Sequence, residues 1–568
     1  MWVKLLKIMI LSLSVLFAAN TLAADFVPDI TAVNPGVVGN RLQPQKFPLP
    51  GASAPLKTVT KAPPASAFPG AEKIRFKLTQ VTLEGNTVYS NAELESLFQS
   101  SLNKEISLAD LQAIVDSITT KYRSAGYVLS RAILPPQEIK GGAVRVQIIE
   151  GFISTLTVTG NPGRAKSIIK KFGKHVVGIK PFQVSMLEHY MLLANDLPGI
   201  TVRSVLTPSK DIPGAAELNM VVERVRGGFS ANYNNYGTRY IGPQQTTFSG
   251  SLYSLIAPGD NNNIQYSRTP VAKQLKFIAL THSQPIGSKG ANIAVGWNYT
   301  KTQAGFILKP LEIVGRSTTY FADVTYPYIR SRNKNLIFHA LANYQNVFSN
   351  LLMTIPFYRD RIRSLTVGAS FDKIDSWRGI NTVVFDIEHG FPIMGARDHF
   401  LQSRPNGQTP YTKYNLTLSR LQALGSRFTL LGAVHGQKTQ NILLATEQFG
   451  FGGSDYGRGY DPSEIVGDQG VAGKFEFRMD TNPGFRLLQS VQYYLFYDAG
   501  IIWNHDAVNL PAKQTATSTG VGARFAFMPH LMGSFYLAKP LTYPVATQVA
   551  LGEDGNAFRS FFQIQLDY

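Results

Sequence analysis

The chain has 568 residues, 44% of them hydrophobic, with 34 Phe, 25 Tyr, 49 Gly and no Cys. That length calls for more than one domain, and the lack of Cys excludes a disulfide framework. The formal net charge of +18 is spread along the chain without a dense basic run, so no nucleic acid is expected as a partner.

The first residues set the compartment. Lys4 and Lys7 precede an apolar run from Ile8 to Ala19, and small residues surround Thr21-Leu22-Ala23-Ala24. This is the order of a secretory signal peptide over residues 1–24, cleaved after Ala23 or Ala24. Beyond it no stretch reaches the ~18–20 apolar residues of a membrane-spanning helix. The mean hydropathy of −0.04 does not exclude a membrane barrel. Barrel strands show only alternate residues to lipid, so their average stays near neutral.

Residues 25–72 read as a linker, extended and semi-rigid rather than packed, because prolines from Pro28 through Pro35 and Pro44 to Pro69 interrupt regular structure; a short helix near its start is left open. A βααββ unit is expected over 73–150. Phe76 to Leu83 reads as one strand, followed by a turn at Glu84-Gly85-Asn86. Ser90 and Glu93 form a capping box for a first helix with Leu94, Leu97 and Phe98 on its apolar stripe. A second helix starts at Ser107, with Leu108, Leu111, Ile114, Val115, Ile118 and Tyr122 on one face. Strands near Tyr127–Ile133 and Ala143–Ile149 close the unit. The same order repeats over 151–225, with strands near Ile153–Val158, Val202–Thr207 and Glu217–Val225. Its helices fall near Ala165–Phe172 and Val184–Asn195. Each unit is a small α+β domain.

From Arg226 helical periodicity disappears and alternating segments recur to the final residue. Sixteen strands are expected, starting near Gly228, Gln244, Asn263, Lys273, Ala291, Arg316, Asn335, Arg363, Ile380, Tyr411, Arg427, Val471, Ser490, Thr519, Met532 and Phe558. About 21 residues per strand with its loop fits tilted transmembrane strands of a closed barrel over 226–568. In the last strand Phe562, Ile564, Leu566 and Tyr568 share the face expected to meet lipid, while Gln563, Gln565 and Asp567 share the other. A strand at the chain's end must pair with the first to abolish the edge.

Several short motifs fall in one loop, about 445–470. These are Phe451-Gly452-Gly453, Gly457-Arg458-Gly459-Tyr460 and Gly467-Asp468-Gln469-Gly470, with Phe496-Tyr497-Asp498-Ala499-Gly500 two strands later. On that strand Tyr494, Phe496 and Asp498 share a face, and the carboxylate places it toward the lumen because a lipid-facing charge is costly. Asp498 there can accept a bidentate pair from Arg458. In this pattern the chain resembles the two-partner secretion transporters, also called haemolysin secretion/activation proteins. In that family the loop folds into the lumen and its Arg-Gly-Tyr tip, here Arg458, Gly459 and Tyr460, docks on a wall pair, here Phe496 and Asp498. Gly457 stands where the family usually has a β-branched residue. Gly126-Tyr127, Leu134-Pro135-Pro136-Gln137, Glu150-Gly151, Leu197-Pro198-Gly199 and Tyr326-Pro327-Tyr328-Ile329-Arg330-Ser331 also match it.

The resemblance implies a mainly β chain, a 16-stranded transmembrane β-barrel in the outer membrane preceded by two polypeptide-transport-associated (POTRA) domains in the periplasm. It implies export of a large exoprotein of adhesin, haemolysin, toxin or haem-scavenging type. Outer-membrane lipid and the barrel-assembly machinery, during biogenesis, are the other expected partners. A segment of 25–72 and the inward loop are the expected plugs of the lumen. The alternative is a factor that inserts other outer-membrane proteins. An enzyme is not expected and no cofactor is implied. No H-E-x-x-H, G-x-S-x-G or GxxxxGK motif is present.

Overall fold

The computed structural model describes residues 30–43, 59–60, 70–506, 511–545, 548 and 554–568. The expected signal peptide, 1–24, and much of the linker lie outside the described residues. What the linker shows corrects the expectation of chain extended rather than packed, and it defines the short helix left open near the linker's start. A 3-10 turn, Ile30–Val33, leads into helix α1 (Pro35–Leu42). Pro35 starts this helix instead of preventing it, because the first turn needs no N–H at that position. Asn34 caps it, its Oδ1 accepting the N–H of Gly36 at 2.8 Å. Farther on, β1 (Val59–Thr60) forms a two-residue strand.

The first α+β unit contains β2 (Arg75–Lys77), β3 (Gln80–Glu84), α2 (Asn91–Glu95), β4 (Glu105–Ser107), α3 (Leu108–Ser124), β5 (Arg131–Ile133) and β6 (Ala143–Ile149). The single strand expected over Phe76–Leu83 is therefore two, because the backbone changes partners midway. Leu78 N–H bonds to Lys104 O at 3.0 Å, and Thr79 N–H to Gly142 O at 2.9 Å. So β2 pairs with β4, and β3 runs parallel to β6. Both helices carry capping boxes, Ser90 with Glu93 and Ser107 with Asp110. Leu111, Ile114, Val115, Ile118 and Tyr122 of α3 are buried against the alternating Val144, Val146 and Ile148 of β6.

One buried carboxylate ties this unit together. Glu150, 2% exposed, accepts the N–H groups of Thr87 (2.7 Å) and Val88 (3.0 Å), the Thr87 hydroxyl, and the Tyr122 hydroxyl at 3.0 Å. Burial alone would raise its pKa, but these hydrogen bonds hold it below the ordinary carboxylate range. A group depressed on folding contributes stability above its unfolded value of about 4.3, lost as pH falls through the folded value. Glu150→Gln is expected to destabilise the unit by about 1–3 kcal/mol at neutral pH and to blunt its acid sensitivity. Hydrogen exchange across residues 80–150 at two pH values checks this.

The second unit is β7 (Phe152–Gly160), α4 (Lys166–Lys174), α5 (Val184–Asn195), β8 (Ile200–Pro208) and β9 (Ala215–Arg224). Its sheet runs β1-β8-β9-β7, so the linker strand β1 is added in parallel to the β8 edge, Val59 opposite Val205. This unit is bolted to one end of the barrel. Arg330, 6% exposed, makes a two-pronged contact with Asp196, at 2.8 Å from each guanidinium nitrogen used. Arg164 reaches the carbonyls of Leu255 (2.5 Å) and Ile256 (3.0 Å).

Sixteen antiparallel strands then close a barrel. They begin with β10 (Gly227–Asn234), β11 (Gln245–Tyr253), β12 (Asn261–Arg268), β13 (Leu275–Ile286) and β14 (Ala291–Gln303). The longest follow: β15 (Val314–Arg330), β16 (Lys334–Leu351) and β17 (Ile355–Ile374). Then come β18 (Gly379–Gly390), β19 (Thr412–Ala423) and β20 (Phe428–Thr439). A hairpin of β21 (Phe449–Phe451) and β22 (Ile465–Gly467) stands apart from the wall. The wall resumes with β23 (Gln469–Thr481), β24 (Ser490–Trp503), β25 (Lys513–Met528), β26 (Leu531–Pro540) and β27 (Arg559–Asp567). The seam is β27 on β10, from Ser230 opposite Asp567 to Asn234 opposite Gln563, with Tyr568 and Phe229 exchanging both backbone bonds. Ile564, Leu566 and Tyr568 are exposed on the outer face, and Phe562 is half-buried. The start of β17 lies eight residues before the expected Arg363, because Arg359, Asp360 and Arg361 break the apolar alternation where the strand extends past the lipid.

Candidate functional site: a helix and a docked loop in the barrel lumen

The loop between β20 and β23 turns inward. Its hairpin, β21 and β22, brings Phe449, Phe451 and Ile465 into a buried cluster with Ile502 and Ala516 of the wall. The tip, 452–464, then reaches β24 and β25. Arg458 Nη2 lies 2.6 Å from Asp498 Oδ1 and its Nε 2.9 Å from Oδ2, while its own backbone N–H also donates to Oδ2 at 2.9 Å. The guanidinium carbon stacks 3.8 Å from the centre of the Phe496 ring. Arg458 is 3% exposed and Asp498 is fully buried, so this charge-assisted fork is dry and well shielded.

Gly459 N–H donates to Ser518 Oγ at 3.2 Å. The Tyr460 hydroxyl sits between the carbonyls of Thr517 (2.8 Å) and Thr542 (2.7 Å), able to donate to either. Gly457 has φ +82°, and a Cβ there would lie 2.7 Å from the Phe451 ring and 2.9 Å from the Gly452 nitrogen. A β-branched residue would be strained at this position, which explains the departure from the family's usual residue.

Several partners escaped the sequence reading. Glu476 of β23 takes the Nη1 of Arg458 and is also paired with Arg478 (2.6 Å) and Arg524 (3.2 Å). Its signal was legible, since Lys474, Glu476 and Arg478 put three charges on alternate, inward positions of one strand. Asp461 of the tip pairs with Arg239 at 2.6 Å and with Arg559; no local pattern links residues so far apart. At the loop's base Asp468 is fully buried, paired with Arg404 and accepting the N–H of Leu443 (2.8 Å) and His505 (2.9 Å). Lys413 there is held between Glu447 (2.5 Å) and Glu388 (3.3 Å).

The second element in the lumen is α1, against β14, β15 and β16. Glycine makes the close approach feasible, for a Cβ at Gly39 would lie 2.4 Å from Thr300 Oγ1. Polar wall residues hold its backbone ends: Thr302 donates to Val33 O at 2.9 Å and Gln265 to Leu42 O at 2.8 Å. Ala32, Val33 and Val38 pack with Tyr240, Ile241, Leu275 and Leu308. The helix also touches the inward loop, Thr446 Oγ1 lying 3.5 Å from the capping oxygen of Asn34.

The profile described as haemolysin secretion/activation protein ShlB/FhaC/HecB matches residues 217–525, more than half of the chain. The chain belongs to this family. A second profile, the ShlB-type POTRA domain, matches residues 76–151, the first α+β unit. The heme/hemopexin transporter protein HuxB of Haemophilus influenzae (strain 86-028NP) is 26% identical over 531 residues, covering 90% of this chain and 91% of that protein. The outer membrane transporter CdiB of Dickeya dadantii is 21% identical over 441 residues, 76% of this chain and 77% of its own length. The solved structure of CdiB from Escherichia coli superposes with a TM-score of 0.71 at 19% identity, covering 96% of this chain and 99% of that one. BamA from Haemophilus ducreyi lacking its POTRA domains 1–3 gives a TM-score of 0.52 at 13% identity, which shows a shared fold alone. This family member is therefore an outer-membrane transporter of two-partner secretion with its α+β units in the periplasm. The family is one of transporters that secrete exoproteins, so its partner is a large exoprotein.

Proposed function

We propose that the chain captures one unfolded exoprotein in the periplasm and threads it through a lumen that α1 and the inward loop obstruct at rest. The observation that carries this reading is the Arg458–Asp498–Glu476 contact, which fastens a loop across the lumen by a small set of charged groups. Such a fastening is specific to one docked geometry, and it acts beside the apolar contact of the hairpin with the wall. The sequence offers no nucleotide-binding motif, so the driving energy comes from folding of the exoprotein outside the cell. Capture uses strand addition, because main-chain hydrogen bonds serve many sequences. At the β8 edge of the second unit that role falls now to the chain's own β1, so an incoming strand must displace it there. The exoprotein is of adhesin, haemolysin, toxin or haem-scavenging type. The outward apolar belt takes outer-membrane lipid, and the C-terminal strand with Phe562, Ile564, Leu566 and Tyr568 engages the barrel-assembly machinery during biogenesis. The domain limits of this reading are 73–150 and 151–225 for the periplasmic units and 226–568 for the barrel.

Mass spectrometry of medium and outer membrane, with and without the gene, tests the reading. One very large protein is expected to vanish from the medium or cell surface while membrane barrels stay constant. A joint fall of many barrels would instead indicate an insertion factor. Deleting residues 73–150 with the barrel kept is expected to abolish secretion; unchanged secretion would reduce the first unit to a brace.

A further inference from the structure

The outer wall of the barrel carries, at its periplasmic end, two lysines set directly opposite each other. Lys334 opens β16 and is the register partner of Lys373 near the end of β17. Both are exposed. They point outward, because their neighbours Asn335 and Asp372 alternate inward, where Asn335 Nδ2 donates to Asp372 at 2.8 Å. The end is periplasmic because the adjoining turn holds the second α+β unit through Arg330 and Asp196.

Like charges facing each other across a strand pair are destabilising, and this pair lacks local compensation. Three arginines near it are neutralised. Arg330 pairs with Asp196 (2.8 Å), Arg332 with Glu188 (2.7 Å) and Arg420 with Asp375 (2.6 Å). Among the described residues no carboxylate lies within 4.0 Å of Lys334 or Lys373. The next outward positions along the same strands are Leu336 and Phe371, followed by Phe338, 45% exposed. The lysines therefore stand about one pleat repeat, ~6–7 Å along the strand, outside the apolar belt. Aromatic residues flank them as at a membrane interface: Trp377 is 78% and Tyr328 62% exposed, and Lys334 Nζ lies 5.9 Å over the Phe371 ring.

We propose that Lys334 and Lys373 form a binding site for the phosphate headgroup of an acidic phospholipid in the periplasmic leaflet. One anionic headgroup bridging both ammonium groups removes their repulsion, and its acyl chains lie along Leu336, Phe338 and Phe371. The site sits on the strands next to the turn that holds Asp196, so the lipid stiffens the wall from which the second unit hangs.

The full-length protein in nanodiscs of phosphatidylethanolamine with a minority of phosphatidylglycerol, followed by native mass spectrometry, tests this. Wild type is expected to retain phosphatidylglycerol selectively, and Lys334→Gln/Lys373→Gln to bind it about thirtyfold more weakly. Lys373→Glu separates binding from folding. It replaces the repulsion with an attraction across the strand pair, so the barrel is expected to keep its heat-modifiable mobility while lipid retention is lost. Unchanged retention in the double variant overturns the proposal. So does an equal loss in Lys438→Gln, an exposed lysine at the other end of the barrel, since that would mean unspecific attraction.

Discussion

Arg458→Ala is expected to cut secretion severely while leaving a folded barrel in the membrane. The barrel wall does not need this residue, since β23, β24 and β25 are joined by continuous ladders. The loop does. Removing the guanidinium leaves Asp498 fully buried with one hydrogen bond, from the backbone N–H of residue 458, and with Lys474 as its cross-strand neighbour. Removing one partner of a buried ion pair costs about 3–5 kcal/mol, and Lys474 offsets part of it. Glu476 is less affected, because Arg478 and Arg524 remain beside it. That cost falls on the docked state alone, so the tip leaves its seat and water enters the lumen. Arg458→Lys should rescue little, since a single ammonium cannot reproduce the fork on Asp498 and the contact with Glu476 together. Asp498→Asn in the Arg458→Ala background removes the stranded charge and should restore docking in part. Exoprotein in the medium, heat-modifiable mobility of the barrel and single-channel conductance read the three consequences separately. Normal secretion with a normal, quiet channel would remove this loop from the mechanism.

The strength of that expectation depends on which parts of the molecule declare themselves locally. Barrel strands do, because lipid outside and polar lumen inside impose a period of two that any window reveals. On β24 Tyr493, Leu495 and Tyr497 are exposed, and Tyr494, Phe496 and Asp498 buried. The signal fades where the wall extends past lipid, as at the start of β17, because outward positions there need not be apolar. The first strand failed for a related reason. Phe76 and Leu78 share one parity and Val81 and Leu83 the other, a flip that marks the change of sheet at Leu78–Thr79. The helix α1 is hidden for a different cause: it is short, and its contact face sets Gly36 and Gly39 against polar wall residues beside the apolar contacts of Val38 and Leu42, so it carries no full apolar stripe. The linker strand β1 is only two residues long and is specified by the edge it joins. Of the site itself, Arg458 and Asp498 were legible from paired motifs, whereas Arg239, Arg404 and Arg559 come from distant loops and strands that only the closed barrel brings together.

Fastening α1 to the inward loop by a disulfide is expected to stop secretion until a reductant is added. The chain has no cysteine, so a pair introduced as Gly36→Cys and Thr446→Cys has no competitor. A Cβ built on Gly36 lies 2.7 Å from Thr446 Oγ1 and 3.0 Å from its Cγ2, the positions where the sulfur of Thr446→Cys would lie, so the two side chains meet within reach of a disulfide. The contact joins the two obstructions of the lumen, since Gly36 sits in the first turn of α1 and Thr446 at the base of the loop. If either element must move for the exoprotein to pass, the bond holds both in place. If α1 and the loop left together as one body, secretion would survive the bond, and that result would show a joint plug. Each single variant controls for crowding at Gly36. Recovery of secretion on reduction, with the barrel unchanged throughout, separates a lock from misfolding. The weak hydrogen bond at this contact, 3.5 Å from Thr446 Oγ1 to Asn34 Oδ1, indicates which outcome to expect. The two elements touch without being bound to each other, whereas each is firmly held by the wall, so they are built to leave separately.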